Sequence, residues 1–206
     1  MGSAPAKNPR GRRRRAALLD AAKAVFIEHG YANATLDEVI RRAGGSRATL
    51  YKQFGDKEGL FAAIIANICA EIVTPLTNSA AGREPEAVLL AFGRTFMAGL
   101  MEPRGLQLYR VLIGEGARFP ELAEAVYRAG PAVAADQLAK HLRRWIAEKR
   151  IRIVDPELAA RQFLEMIKGD LHFRALLRLE PHPTAAEVDA CVESAVRLFL
   201  HGTLKH

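Results

Sequence analysis

The stretch TLDEVIRRAGGSRATLYKQFGDKEGL, residues 35–60, predicts two short helices joined by a tight turn. Thr35 stands three residues before Glu38, which is the spacing of a capping box that begins a helix. Apolar residues then recur at helical spacing until Gly44, which with its neighbouring glycine permits the left-handed backbone that ends a helix. Ser46 is placed to cap the next helix at once. Because only about three residues separate the two helices, they must meet at a sharp angle.

The second helix, residues 47–53, is short and has one apolar side. Leu50 and Phe54 can anchor that side against the rest of the protein. Asp56 then caps a third helix, which we expect to run to about residue 73. The side chains left to face outward on the second helix are Arg47, Ala48, Thr49, Tyr51 and Lys52.

This outward face is chemically suited to nucleic acid. A helix N-terminus favours phosphate, and here it carries the Ser46 and Thr49 hydroxyls as further donors. The Arg47 guanidinium can pair with a guanine edge, and Tyr51 and Lys52 can donate to phosphates. The face therefore predicts binding to DNA.

The positive charge of the chain is concentrated near this unit. Residues 1–58 contain 12 Lys and Arg residues against 6 Asp and Glu residues, whereas the other 148 residues contain 18 against 17. Residues 1–12 are rich in Gly, Pro, Ala and basic residues, so we predict a disordered basic arm there, with the first helix beginning near Arg13. The Arg10–Arg15 run could follow a groove or the DNA backbone. Lys57, in the first turn of the third helix, opposes the helix dipole, and a phosphate would remove that conflict.

The stretch from Arg14 to Ile65 resembles the N-terminal domain of the TetR family of bacterial transcriptional regulators. The likeness is carried by AALLDAAKAVFIEHGY at 16–31, TLDEVIRRAG at 35–44, SRATLYKQF at 46–54 and DKEGLF at 56–61. Two positions depart from the family pattern. Gly45 stands where Val is frequent, and Gly59 stands where Ala, Glu or Asp is common.

The resemblance implies a role for each matching residue. Positions that usually touch the DNA backbone correspond to Thr35, Ser46, Thr49, Tyr51, Lys52 and Lys57, and those that often face bases correspond to Arg47 and Ala48. With the arm residues Arg12, Arg13 and Arg14, these form the predicted DNA-binding set. Two alternatives stay open: Tyr51 can pack between helices, and Thr35 and Ser46 can act as caps alone.

The remainder of the chain predicts more helices and no strands, so the whole fold is expected to be all-α: an N-terminal three-helix DNA-binding domain at 13–58, joined to a helical ligand-sensing and dimerisation domain at 76–206. Its helices are predicted at 84–101, 104–117, 119–149 with a break at Gly130-Pro131, 155–178 and 184–202. The segments LYRVLIGEGARFPELAEAVYRAG and DPELAARQFLEMIKGDLHFRAL resemble the C-terminal domain of an AefR-like subgroup of the family. That resemblance implies a homodimer built by the last two long helices.

Two sets of apolar residues are candidates for binding roles. The candidate dimer surface is Met166, Leu171, Val192, Val196, Phe199 and Leu200. The candidate pocket for an apolar small molecule is Phe92, Phe96, Met97, Leu100, Tyr109, Leu112, Tyr127, Trp145 and Phe163. In both sets the alternative is ordinary core. By the family mechanism, the molecule would shift the spacing of two DNA-binding heads, which as a dimer would meet palindromic half-sites roughly 34 Å apart or a multiple of that distance.

Other functional classes have little support in the sequence. No phosphate-binding loop or nucleophile elbow is present, so an enzyme is not expected, and no cofactor is predicted. Glu165, Asp170 and His172 lie close in sequence but do not share one helical face, so no metal site is predicted. No apolar run approaches the ~20 residues of a membrane span, although a basic tail at a membrane surface stays as a remote alternative. Cys69 and Cys191 fit two small buried side chains in a reducing compartment, and the expected location is the bacterial cytoplasm.

Overall fold

The computed structural model describes residues 9–77, 83–179 and 182–202, and these are helical with no strand among them. The first six helices are α1 (Pro9–Asn33), α2 (Leu36–Ala43), α3 (Arg47–Phe54), α4 (Lys57–Ile72), α5 (Thr74–Thr77) and α6 (Pro85–Met101). The other six are α7 (Pro103–Glu115), α8 (Pro120–Ala129), α9 (Pro131–Ala147), α10 (Pro156–Lys168), α11 (Leu171–Leu176) and α12 (Ala185–His201). The predicted all-α class is confirmed.

Local hydrogen bonds begin the helices of the N-terminal unit as the sequence predicts. The side chains of Thr35, Ser46 and Asp56 each accept from the backbone N–H three residues ahead, capping α2, α3 and α4. The capping box at α2 is only half formed, because Arg41 and Arg42 donate to the Glu38 carboxylate. These two arginines lower the pKa of Glu38 to about 2.

Gly59 has a structural reason to differ from the family pattern. A Cβ at this position would lie 2.0 Å from the Phe54 carbonyl oxygen. That separation is far inside van der Waals contact, so a side chain would force the end of α3 away from the start of α4. The close approach of α3 and α4 therefore requires glycine at this position, even though glycine inside a helix costs about 1 kcal/mol relative to alanine.

Two helix boundaries differ from the prediction. The first helix begins at Pro9 instead of near Arg13, so residues 9–12 of the predicted disordered arm are helical, while residues 1–8 lie outside the described part. The helix predicted at 155–178 is divided, because Gly169 adopts a φ of 51° between α10 and α11. The predicted break at 130–131 is confirmed by the end of α8 and the start of α9.

The apolar residues form two cores. The body core lies among α4, α5, α6, α9, α10 and α12, and includes Trp145 and Phe163. The head core lies among α1 to α4 and includes Phe26, Tyr31 and Phe61. It also contains Leu108, Leu122 and Val126, which come from α7 and α8. The N-terminal unit is therefore not packed as an independent domain ending near residue 58, since α7 and α8 complete its core.

Candidate nucleic-acid interface and central cavity

The outer face of α3 is exposed as the sequence predicts. Leu50 is buried and Phe54 nearly so, and they hold the helix to the head core. Tyr51 is 53% exposed, which excludes the alternative that it packs between helices. The remaining outward residues divide into exposed Arg47, Ala48 and Lys52 and half-buried Thr49. Surface donors thus lie along one side of a short helix that the core holds rigidly from the other side.

The N-terminus of α3 combines capping with an ion pair. The Ser46 hydroxyl accepts from the Thr49 backbone N–H at 3.3 Å and lies 3.0 Å from the Thr49 hydroxyl. Arg47 donates from Nε to an oxygen of Asp37 at 2.7 Å, so its guanidinium is bidentate on a carboxylate of α2. Both side chains are exposed, and this pairing raises the pKa of Arg47. To contact a base, Arg47 must leave Asp37, which the sequence did not indicate.

The arginine run lies beside the turn between α2 and α3. Arg12 to Arg15 are exposed in the first turns of α1. Gly45, with a φ of 141°, is the point of closest approach, because a Cβ there would lie 3.0 Å from Arg14 Nη2. The Arg15 guanidinium lies 5.3 Å from the centre of the Phe54 ring, which ties this end of α1 to α3. The N-termini of α1 and α3 together form a basic surface, and no acidic residue lies in the first turn of either helix.

Lys57 does not require a phosphate. Its Nζ donates to the carbonyl oxygens of Tyr31, Ala32 and Ala34, at 2.9, 3.3 and 3.3 Å. It also lies 4.5 Å from the centre of the Tyr31 ring. These carbonyls follow the turn at Gly30, and their negative ends meet the ammonium, so they take the place of the anion that we expected from DNA. The sequence-based argument that Lys57 needs a phosphate to balance its charge is therefore corrected, because the protein itself supplies the acceptors.

The same end of α1 is joined to α7 and α8. The Ala32 N–H donates to Glu115 Oε1 at 3.4 Å. The Tyr31 ring meets the Phe119 ring edge to face, with centroids 5.0 Å apart. Gly30, with a φ of 71°, turns the chain so that these contacts form. This junction fixes the N-terminal unit against α7 and the residues that precede α8.

A central cavity of about 320 Å³ lies beneath this junction, enclosed by α4, α6, α7, α8, the start of α9, α10 and α11. Its lining is mainly apolar, and its size falls at the lower end of the range for drug-sized ligands. Among the predicted pocket residues, Phe96, Leu100, Tyr109, Leu112 and Tyr127 line it. Leu108, Leu112 and Val126 line the cavity and also pack in or against the head core.

The other predicted pocket residues do not line this cavity. Phe92, Trp145 and Phe163 are fully buried in the body core, where the Phe92 and Phe163 rings stack on each other and the His141 ring meets the Trp145 ring. Met97 instead borders an open groove of about 870 Å³ between α6, α7 and α12. The lining of that groove includes no residue of the head core.

Sequence reasoning missed the polar end of the central cavity. Glu165 and Lys168 of α10 and His172 of α11 line it together. Lys168 Nζ donates to Glu165 Oε1 at 2.7 Å. The sequence does show three polar residues within eight positions of an apolar segment, but their spacing predicts no metal site and gives no indication of a cavity. Within the ranges that the structure describes, no His, Cys, Asp and Glu cluster could hold a metal ion.

The candidate dimer residues divide into core and surface. Leu171, Val192 and Val196 are buried within the protomer, so they are not available to a partner. Phe199 and Leu200 are half-buried, and Met166 is 38% exposed. The exposed apolar side chains in this region also include Phe173 of α11, Leu177 directly after it and Leu198 of α12. Helix α12 packs on α6 and α10, and Val192 and Val196, which we predicted at the dimer surface, lie in the body core instead.

Both cysteines of the chain lie among the residues that the structure describes. Cys69 is buried and Cys191 half-buried, and both are free thiols whose pKa is raised by burial. Over the described ranges, no helix combines the length and apolar character needed to cross a bilayer.

Comparison with known families accounts for both parts of the chain. Residues 18–64 match the model described as bacterial regulatory proteins, tetR family. Residues 87–202, more than half of the chain, match the model described as AefR-like transcriptional repressor, C-terminal domain.

Individual relatives agree with these matches. The transcriptional repressor AcnR of Corynebacterium glutamicum is 38% identical over 62 residues, 30% of this chain and 33% of AcnR, so this chain matches about a third of that relative. A solved TetR-family regulator from Mesorhizobium loti is similar at a TM-score of 0.78 and 27% identity, over 93% of this chain and 97% of that one. The flavonoid-responsive regulator FrrA is similar at 0.72 and 29%, over 91% and 95%. With its capped α2–α3 unit and basic outer face, this chain belongs to the TetR family of bacterial transcriptional regulators and has an AefR-like C-terminal domain.

Proposed function

We propose that this protein is a ligand-responsive repressor that binds a palindromic operator as a homodimer and is released by an apolar small molecule in the central cavity. It would act on DNA in the bacterial cytoplasm, as a binding protein and not as an enzyme. The proposed DNA surface comprises α3, its Ser46 cap and the arginines at the start of α1.

The observation that supports ligand response is the sharing of residues between cavity and head. Leu108 and Val126 line the cavity and are buried in the head core. A molecule that moves α7 or α8 must therefore shift the packing beneath α1 and α4. Through Glu115 and Phe119 the same movement reaches the end of α1. A ligand changes operator affinity by its difference in affinity for the two arrangements, and by no more.

FrrA, which is named as a flavonoid-responsive regulator, is 29% identical to this chain, over 91% of this chain's length. This similarity supports a small apolar effector for the present protein. The larger open groove is the weaker candidate for the effector. It borders α6, α7 and α12, and its lining has no member of the head core through which binding could reach α1.

The homodimer is supported by apolar side chains that the protomer leaves exposed. Met166 on α10, Phe173 on α11, Leu177 directly after α11 and Leu198 on α12 are each at least 38% exposed. Large exposed apolar patches often mark interfaces between proteins. Two copies of a short α3 would also contact enough bases to select one operator, which a single copy would not.

Selection of bound sites from random double-stranded DNA tests the DNA assignment. We expect enrichment of a palindrome whose half-sites are separated by roughly 34 Å or a multiple, bound by two protomers. Phe173→Glu should give monomers that bind the operator weakly. Ile113→Glu, which changes an exposed apolar residue of α7, is the matched control and should remain dimeric. A failure to enrich any sequence would contradict the proposal.

The ligand response has a separate test. A thermal-shift screen of apolar molecules should yield stabilisers, and these should lower operator affinity in a gel shift. Stabilisers that leave operator affinity unchanged would refute release by ligand, while leaving the assignment of DNA binding intact.

A further inference from the structure

His172 is a buried polar group that the packing of the protein does not explain. Its side chain belongs to the first turn of α11 and lines the central cavity. The residue is only 5% exposed, yet among the described residues no hydrogen-bond partner reaches its Nε2 atom. Burying such a nitrogen without a partner costs about 1–3 kcal/mol, so a group that satisfies it from within the cavity is favoured.

The surroundings of His172 keep its ring neutral. Burial, followed by the charge of Lys168, lowers the pKa of His172 to about 4. The edge of the ring is held against Tyr109, with centroids 5.1 Å apart. A neutral imidazole presents one donor and one acceptor nitrogen, so Nε2 can pair with a group that both donates and accepts.

The charges near His172 exclude a strong preference for an anion or a cation. Lys168 is already paired with Glu165 at 2.7 Å, and because the Glu165 side chain is 74% exposed, this pair lies at the mouth of the cavity. A carboxylate placed there would meet the Glu165 carboxylate as well as the ammonium. A hydroxyl has no such conflict, and it fits either tautomer of the imidazole.

The rest of the cavity is suited to an apolar body. Ile68, Ile72 and Leu164 line its walls, together with the Phe96 ring. The volume of about 320 Å³ limits that body to a small ring system or a short chain.

We propose that the central cavity binds an uncharged amphipathic molecule, with its apolar body against the α4 and α6 walls and its hydroxyl group hydrogen-bonded to His172 Nε2. The proposal rests on the ligand response proposed above and names the class of ligand. Because Lys168 is already paired with Glu165, the cavity mouth then offers no uncompensated charge to attract an ionic molecule.

Direct binding to the full-length protein tests this assignment with three related probes: 2-naphthol, naphthalene and 2-naphthoate. Binding is measured by calorimetry, or by competition with a fluorescent probe where solubility limits it. Wild-type protein should bind 2-naphthol more tightly than either of the others. His172→Phe keeps an aromatic ring against Tyr109 but removes Nε2, so it should weaken 2-naphthol binding by roughly three- to tenfold and leave naphthalene binding unchanged.

His141→Phe is the matched control, because His141 lies on α9 and contacts Arg144 and Trp145, away from the cavity lining. It should bind the three probes as the wild type does. Equal 2-naphthol binding by wild type and His172→Phe, tighter binding of 2-naphthoate, or binding of none of the three probes would overturn the proposal; the last result would mean that His172 meets water only.

Operator binding without any probe separates this result from the proposed function. If the probes fail but the protein still selects a palindrome, the ligand class is wrong and the DNA assignment stands. If 2-naphthol binds through His172 but operator affinity does not change, the ligand class stands and release by ligand is wrong.

Discussion

Replacing Lys57 with methionine tests whether this residue holds the N-terminal unit together or contacts DNA. Methionine keeps an unbranched stem of similar length, so the change removes mainly the ammonium group. Three carbonyl oxygens that follow the turn at Gly30, those of Tyr31, Ala32 and Ala34, then lose their shared donor. The contact with the Tyr31 ring, 4.5 Å away, loses its charge as well.

The expected loss follows from these contacts. Hydrogen bonds to a charged group contribute about 1.5–3 kcal/mol, and a cation over an aromatic ring contributes about 0.5–1 kcal/mol at a partly exposed site. Because one ammonium serves all three carbonyls and water can replace it in part, we expect the free energy of unfolding to fall by about 2–3 kcal/mol. Urea denaturation followed by circular dichroism measures this difference.

DNA binding by the same variant gives the second measurement. A lysine that neutralises one phosphate contributes about 0.9 to the slope of log affinity against log salt concentration. Since Lys57 is occupied by the carbonyls of Tyr31, Ala32 and Ala34, the slope for Lys57→Met should match that of the wild type. Lys52→Met on the exposed face of α3 is the control, and it should lower the slope by about 0.9 and change stability by less than about 0.5 kcal/mol. If Lys57→Met lowers the slope and keeps wild-type stability, our interpretation of Lys57 is refuted.

Three further predictions follow from contacts that cross between elements. Asp37→Ala should raise operator affinity a few-fold, because it releases the Arg47 guanidinium and removes an acidic group from the proposed DNA surface. Arg47→Ala should lower operator affinity by roughly tenfold or more, and an equal loss of affinity for random DNA would show that Arg47 contacts only phosphate. Phe119→Ala should lower the free energy of unfolding by about 1–2 kcal/mol and weaken the effect of a bound ligand on operator affinity, and an unchanged ligand effect would exclude this path. Burial lowers the pKa of His172 to about 4, so the unfolded chain takes up this proton first and the free energy of unfolding falls as pH drops from about 6.5 toward 4. The full difference is worth roughly 3 kcal/mol, of which roughly 2 kcal/mol falls between pH 7 and 4.5. In urea denaturation, His172→Phe should therefore lose less stability over that pH range than the wild type.

The elements that sequence predicted well are those with local causes. Thr35, Ser46 and Asp56 cap their helices through hydrogen bonds to residues three positions ahead. The break before Pro131 has an equally local cause, because proline lacks the N–H that a continuing helix needs. Gly169 was missed as a helix end, since an isolated glycine within a helical pattern is often tolerated and only its φ of 51° shows the break.

Roles that depend on distant partners could not be predicted. Lys57 has acceptors 23 to 26 residues away along the chain, and Arg47 has one ten residues away. A charged side chain shows its sign in the sequence, but the partner that satisfies it is chosen by how the helices pack. The same holds for the polar end of the cavity, which α10 and α11 form only because Gly169 turns one against the other.

By itself, the sequence determined the all-α class, the capped helix pair of residues 35–54 and the basic character of its outer face, because each depends on residues within a few positions of one another. Tertiary structure alone decided which apolar residues enclose space and which fill it. Trp145 and Val192 have the same helical periodicity as Leu100 and Leu112, yet the first two are fully buried among neighbouring side chains and the others border the cavity. Periodicity shows which side of a helix is apolar, but whether that side meets another helix or a void depends on the positions of all the helices around it.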